Sequence, residues 1–254
     1  MSSKSIQPSC KASPNSVTRA IRGFIFTWKR LCLFSFVALY LSCTATAQGA
    51  NTPGQLAQTN TRDLSSRLAV GDVVFIRVSA LPFKKVASAT ESWTNHVGIV
   101  IDVSGSEPLI GESTFPISKA TPLSRFVERS EGGRIEVSRL NTPLTAQQQA
   151  AVFLSAQKRM GVFYDTGFNL NSKRQFCSRY VREVLGEATD TQVGDVENFS
   201  TLLTRNPKVD LVFWRIWYFG NIPWQRETVT PASVLNSTRL HSVFDGNATT
   251  ASRS

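Results

Sequence analysis

The chain has 254 residues, 28 Lys plus Arg against 18 Asp plus Glu, 41% hydrophobic and 18% charged residues, and a formal charge of +10. That is globular composition, which excludes a disordered, coiled-coil or collagen-like chain, and the length suits one domain of roughly 200 residues plus extensions. The charge invites a nucleic-acid partner, but residues 1–47 hold Lys4, Lys11, Arg19, Arg22, Lys29 and Arg30 and no acid, so most of the excess belongs to a leader; Lys84-Lys85 and Lys173-Arg174 are isolated pairs that read as solvated surface, and no nucleic-acid partner is expected.

Residues 31–43 are uncharged and follow Lys29-Arg30, and Ala45-Thr46-Ala47 comes next. A basic flank, an apolar run shorter than the ~20 residues of a membrane span and an A-x-A site together predict a secretory signal peptide over 1–47. Two alternatives are an uncleaved anchor over 24–43 and a lipoprotein-type signal acylating Cys43. The expected location is therefore the periplasm or cell envelope. Residues 48–66, rich in Gln, Thr, Asn and Ser, predict a linker. A folded domain is expected over 67–244 and a frayed tail over 245–254.

Gly71-Asp72 opens a buried strand, Val73–Val78, and residues 83–90 suit a short helix. His96 to Val103 and Pro108 to Thr114 read as a hairpin around Ser104-Gly105-Ser106-Glu107. Thr121-Pro122 predicts a capped helix to Glu128, and Arg134 to Leu140 an alternating strand. Thr145 and Gln148 form a capping box for a helix to Met160, stopped by Gly161. Phe176 or Cys177 begins an amphipathic helix ended by Gly186. Asp195 is expected to cap a helix to about Arg205. The aromatic run 209–219 reads as a strand, and Thr230-Pro231 starts a last short helix. Strands early and late with helices between predict an α+β class.

Cys10, Cys32 and Cys43 lie in the leader, so Cys177 is the one cysteine of the expected mature chain, and an unpaired thiol in an exported protein is either buried and inert or used. A thiol at the start of a helix meets free backbone amides and the positive end of the helix dipole, which favour thiolate. A thiol nucleophile also needs a base and an orienting partner. With the turn centred near Ser104, His96 falls opposite Glu112, and opposite residues of an antiparallel pair share a face; a one-residue slip would separate them. His241, near the tail, reads as a surface histidine. No Cys/His cluster has metal-ligand spacing, so no metal or cofactor is expected. The aromatic residues Phe213, Trp214, Trp217, Tyr218, Phe219 and Trp224 read either as core packing or as an apolar groove. Asp165 is left open between a site role and loop support.

Gly71-Asp72-Val73-Val74-Phe75, Asn95-His96-Val97-Gly98-Ile99-Val100, Gly111-Glu112-Ser113, Phe163-Tyr164-Asp165 and Phe176-Cys177-Ser178 occur in this order. Together they resemble the permuted papain-like amidases, the YiiX/YaeF/YebB-type branch of the NlpC-like superfamily, nearest the YebB-like proteins, over roughly 68–235. The permuted branch places its base before its nucleophile, as here. The resemblance implies a circularly permuted papain-like fold, an antiparallel sheet packed against helices. It implies Cys177 as nucleophile, His96 as base and Glu112 as third member, with Tyr164, Trp93 and Phe176 on the substrate side. Phe176 stands where relatives often carry Tyr, and Arg179 where an acid is frequent, departures that bear on the cleft. The expected activity is an exported cysteine hydrolase acting through an acyl-enzyme on an envelope peptide such as peptidoglycan. A lipid amide or ester hydrolase, an acyltransferase and a non-catalytic binding module are the alternatives.

Overall fold

The computed structural model describes residues 56–250; the expected leader and the Cys43 alternative lie outside them. In chain order the elements are β1 (Ala57–Asn60), α1 (Thr61–Ser65), β2 (Val73–Val78), α2 (Leu81–Ala89), β3 (His96–Asp102), β4 (Leu109–Glu112), β5 (Lys119–Pro122) and α3 (Leu123–Glu128). There follow β6 (Ser130–Leu140), α4 (Ala146–Gln157), α5 (Cys177–Thr189), β7 (Val196–Asn198), α6 (Phe199–Arg205), α7 (Leu211–Trp217), β8 (Glu227–Val229), α8 (Pro231–Leu235) and β9 (Leu240–Thr249).

Seven strands form one sheet in the order β1-β9-β6-β2-β3-β4-β5, antiparallel except for β1 beside β9. Alternation along the central strands gives the sheet two apolar faces. Val73, Phe75, Val97 and Ile99 pack against Val152 of α4 and Tyr180, Val181 and Val184 of α5. Val74, Ile76, Val100 and Ile110 pack against Leu64 of α1 and Phe126 of α3. A third apolar cluster joins Ala89 of α2 to Leu202 and Leu203 of α6 and Trp214 of α7. The α+β class and the sheet packed on helices are as expected.

Several local expectations change. The stretch expected as a linker supplies β1 and α1, where Leu64 is fully buried, and the expected tail supplies the end of β9. These segments hold each other: β1 runs so close to β9 that a Cβ at Gly246 would lie 2.1 Å from the Ala57 carbonyl oxygen. The run 209–219 is a helix, not a strand. Asp210 caps it by accepting from the Phe213 amide at 2.9 Å, and Phe213–Trp217 and Trp214–Tyr218 stack at helical spacing. Aromatic content pointed to a strand, but the cap and the four-residue pairing decide. Gly186 does not end α5; it lies inside the helix, with the end of the Gln192 side chain packed over it, and Asp190 at φ +56° ends the helix. Asp195 precedes β7, and Asn198 caps α6 instead. The capping boxes at Thr145 and Thr230 are both complete.

Candidate active site

Cys177 is the first residue of the 13-residue α5, with Phe176 extended at the cap position. The first-turn amides of a helix have no intrahelical acceptor. Here the Ser178 amide, together with that of Val97 on β3, donates to the sulfur. Val97 is free to do so because the β3–β4 pairing stops at Ile99–Gly111, two residues short of it. Beyond that last pair the ribbon opens, and the Ser113 hydroxyl donates to the Gln175 carbonyl at 2.9 Å, holding the segment before α5 in the opening. His96 and Glu112 project to the α3 face while α5 packs on the other. The gap between the strand ends is what lets the sulfur reach the imidazole.

The β3–β4 register differs from the expected one. Ile99 faces Gly111 and Val100 faces Ile110, which extrapolates to His96 opposite residue 114, with Glu112 on the diagonal. A shift of two keeps both side chains on one face, and His96 Nε2 lies 2.6 Å from Glu112 Oε2, both groups fully buried. The Glu112 carboxylate also accepts from the Thr121 hydroxyl at 2.6 Å and from Arg129 Nη2 at 2.8 and 2.7 Å. Neither partner was expected. Thr121 does not cap a helix as its sequence suggests: it lies in β5, and α3 starts after Pro122 without a side-chain cap. Arg129 sits at the C-terminal end of α3, its guanidinium over the Phe126 ring.

The His96 ring lies between Phe83 and Phe126 at centroid distances of 5.8 and 5.7 Å. With Nε2 spent on Glu112, Nδ1 is the nitrogen left for Cys177. The two groups interact strongly, although Nδ1 makes no hydrogen bond of normal geometry among the described residues. Burial opposes charge on His96, but the Cys177 sulfur and the Glu112 carboxylate outweigh it and raise the imidazole to about 9. Burial likewise opposes the Cys177 thiolate, yet His96 and the two amides pull its pKa below the ordinary thiol value. Glu112 is held at about 2, burial being outweighed by His96 and Arg129. Both shifts act in the direction that favours a thiolate–imidazolium pair.

Tyr164 is buried, and its segment runs parallel to Gln175. Burial and the adjoining Cys177 sulfur push its phenol well above the ordinary value. Phe176 is buried against Phe168. Trp93 lies elsewhere: it does not line the cavity beside Cys177, and its ring carries the Arg134 guanidinium at 4.0 Å. Asp165 supports its loop, accepting from the amides of Gly167 and Asn169 at 2.9 and 3.0 Å. Arg179 ties the preceding loop, donating to the carbonyls of Ser172 and Arg174 and pairing with Glu183. His241 is exposed and contacts Asn141. A cavity opens beside Cys177, with walls that include Phe83, Phe168, Phe199, Leu203, Trp214 and Tyr164.

Residues 67–244 match the family model described as permuted papain-like amidase enzyme, YaeF/YiiX, C92 family. The chain belongs to that family. It is 27% identical over 173 residues to the uncharacterized protein YiiX of Escherichia coli strain K12, covering 68% of this chain and 84% of that protein. Among solved structures it resembles one described as metalloprotein yiiX from Escherichia coli O157:H7, with a TM-score of 0.63 and 25% identity over 70% of this chain and 98% of that one. Membership makes this protein a cysteine-type amidase or hydrolase of permuted papain-like fold.

Proposed function

We propose that the protein is an exported cysteine hydrolase whose nucleophile is Cys177, base His96 and orienting group Glu112. The observation that carries this is the hydrogen-bonded network of Arg129, Thr121, Glu112 and His96, set beside a sulfur at a helix N-terminus that interacts with the imidazole. The thiolate attacks an acyl carbonyl, forming an S–C bond while the backbone amide of Cys177 and the Tyr164 hydroxyl stand near the developing oxyanion. His96 gives its Nδ1 proton to the leaving amine or alkoxide as that bond breaks. Water then attacks the thioester, His96 takes its proton, and the acid and thiolate are released. Glu112 holds the tautomer in which Nε2–H points to itself.

Metal chemistry, which the description of the Escherichia coli O157:H7 structure raises, does not fit these residues. Among the described residues no three His, Cys, Asp or Glu side chains are placed to hold a metal ion, and Glu112 is already saturated by Arg129, Thr121 and His96. No step is routed through a metal.

Two envelope substrates follow from the expected export, a peptidoglycan stem peptide and a lipid-linked acyl group. The cavity favours the second, because Phe83, Phe168, Phe199, Leu203 and Trp214 offer a hydrocarbon chain apolar contact and a charged peptide almost no partners. The test is acylation by p-nitrophenyl palmitate, p-nitrophenyl acetate and a stem-peptide ester, read by peptide mass. A palmitoyl adduct on the peptide holding Cys177, formed faster than the acetyl one and absent in Cys177→Ala, supports the reading. Nitrophenolate release unchanged in Cys177→Ala sinks it.

A further inference from the structure

Helix α7 presents an apolar stripe to the outside. Val212, Ile216 and Phe219 follow one another at intervals of four and three and are 66%, 72% and 98% exposed. That spacing places them on one side of the helix and its following turn, while Trp214 on the other side is buried in the cavity wall. Arg215 shares the exposed side, and neither it nor exposed Lys208, seven residues earlier in the chain, has an ion-pair partner among the described residues. Phe219 is also held at φ +51°, so the chain keeps a large apolar group outward in a backbone region that side chains seldom adopt. Trp217 of the same helix, not the stripe itself, borders the entrance to the site. An apolar trough between Trp217 of α7 and Phe115, itself 72% exposed, shares Phe83, Val86, Tyr164 and Phe168 with the cavity beside Cys177.

From this continuity we propose that α7 and the Phe115 loop form a docking surface for an anionic lipid bilayer, through which an acyl chain passes along the trough to Cys177. The inference rests on the lipid-acyl reading of the cavity and adds the surface that supplies it. Apolar residues beside unpaired cations are the signature of an element lying in the headgroup region, where the side chains leave water and the cations meet lipid phosphate. A second copy of the chain suits the face less well. A two-fold contact centred on this short stripe would bring each exposed Arg215 toward its symmetry mate. Trp214 gives the cavity side a free donor: its indole N–H is buried without a partner among the described residues, left for the carbonyl of an entering lipid.

The experiment is hydrogen exchange of the full chain with and without phosphatidylcholine vesicles doped with phosphatidylglycerol, resolved by peptide. Amides of 211–220 slowed about tenfold or more by these vesicles, and less by pure phosphatidylcholine, support the proposal. A Val212→Ser, Ile216→Ser, Phe219→Ser variant abolishes that protection while keeping its near-ultraviolet circular dichroism. Protection confined to residues outside 205–224, protection undiminished in the triple variant, or protection without vesicles that grows with protein concentration overturns it, the last by assigning the face to self-association. The readout needs no competent thiol, so Cys177→Ala docks as the parent does. A failure of docking thus leaves the acyl-enzyme reading standing, and a failure of acylation leaves the docking result interpretable.

Discussion

Glu112 meets His96 from the diagonal position of the β3–β4 ribbon, 2.6 Å from Nε2, while the directly opposite place falls to residue 114. The carboxylate therefore reaches along the ribbon and is fixed by groups from β5 and α3. Its charge, held by Arg129, adds to that of the Cys177 sulfur in raising the proton affinity of the imidazole. Glu112→Gln keeps the shape and removes that charge, so His96 loses proton affinity and the thiolate loses its counterion. Acylation of Cys177 is expected to slow roughly 10²- to 10⁴-fold, with little change in fold by circular dichroism. Single-turnover kinetics with the palmitate ester measure this, and a loss below threefold would remove Glu112 from the site.

The Cys177–His96 pair has a particular pH signature. The raised His96 stabilises the fold fully below about pH 6.5 and loses that contribution as pH climbs through about 9, while the depressed Cys177 contributes above the usual thiol range and loses it as pH falls. Across the neutral interval the folded pair and the unfolded pair bind the same number of protons, so the two trends offset and urea stability is flat. Iodoacetamide labelling of Cys177 is likewise nearly constant over about pH 6–8, where a model thiol gains about tenfold per unit. Labelling that climbs like the model thiol means a neutral resting pair.

Acid behaves differently. Glu112 titrates near 2 in the fold against 4.5 when exposed, so its contribution is complete above about pH 4.5 and disappears as pH falls toward 2. Urea titrations at several acidic pH values are expected to show stability falling through that window in the parent, and falling less in Glu112→Gln. Equal slopes in the two proteins would show that the carboxylate is not held ionised by its partners.

Much of the frame was legible because local chemistry decides it. The strand openings at Val73 and His96, the capping box at Thr145, and the helix starts at Thr230-Pro231 and Cys177 each rest on a few neighbouring residues. What was not legible depends on distant contacts. Nothing near Arg129 reveals that it folds back to a carboxylate 17 residues earlier, and Thr121-Pro122 resembles a helix start so closely that the hydroxyl's use at Glu112 is masked. The β3–β4 register differs by two from a turn centred on Ser104, with Ile99 opposite Gly111, yet parity survives, which is why the expected pair still shares a face. The run 209–219 misled because aromatic residues favour strands on average, while Asp210 and the four-residue stacking act only once the chain turns.

The partners of Glu112 separate by chemistry. Arg129→Met leaves a fully buried carboxylate without its cation; because the Arg129 side chain is itself 33% exposed, the expected cost is about 2–3 kcal/mol, below that of a wholly buried pair. Thr121→Val removes one hydroxyl donor and costs about 1–2 kcal/mol. Urea denaturation measures both, and Arg129→Met combined with Glu112→Gln should recover part of the loss, since the stranded charge is then gone. No recovery in the double variant would mean that Arg129 acts through its packing on Phe126 instead.

Tyr164 is the group that distinguishes a catalytic cleft from a lined one. Its ring packs against Phe168 and its hydroxyl adjoins the Cys177 sulfur, so the two halves of the side chain serve different ends. Tyr164→Phe keeps the ring and its contact with Phe168 and removes only the O–H. If that hydroxyl stabilises charge on the sulfur and the oxyanion, kcat for the palmitate ester falls about 10- to 10²-fold while KM holds, and iodoacetamide labelling of Cys177 slows at acidic pH as the thiolate loses a donor. Tyr164→Leu, which also removes the aromatic wall, is expected to raise KM in addition. A Tyr164→Phe enzyme with unchanged kcat and unchanged labelling would assign the residue to packing alone and leave the backbone amides at the start of α5 as the charge-stabilising donors.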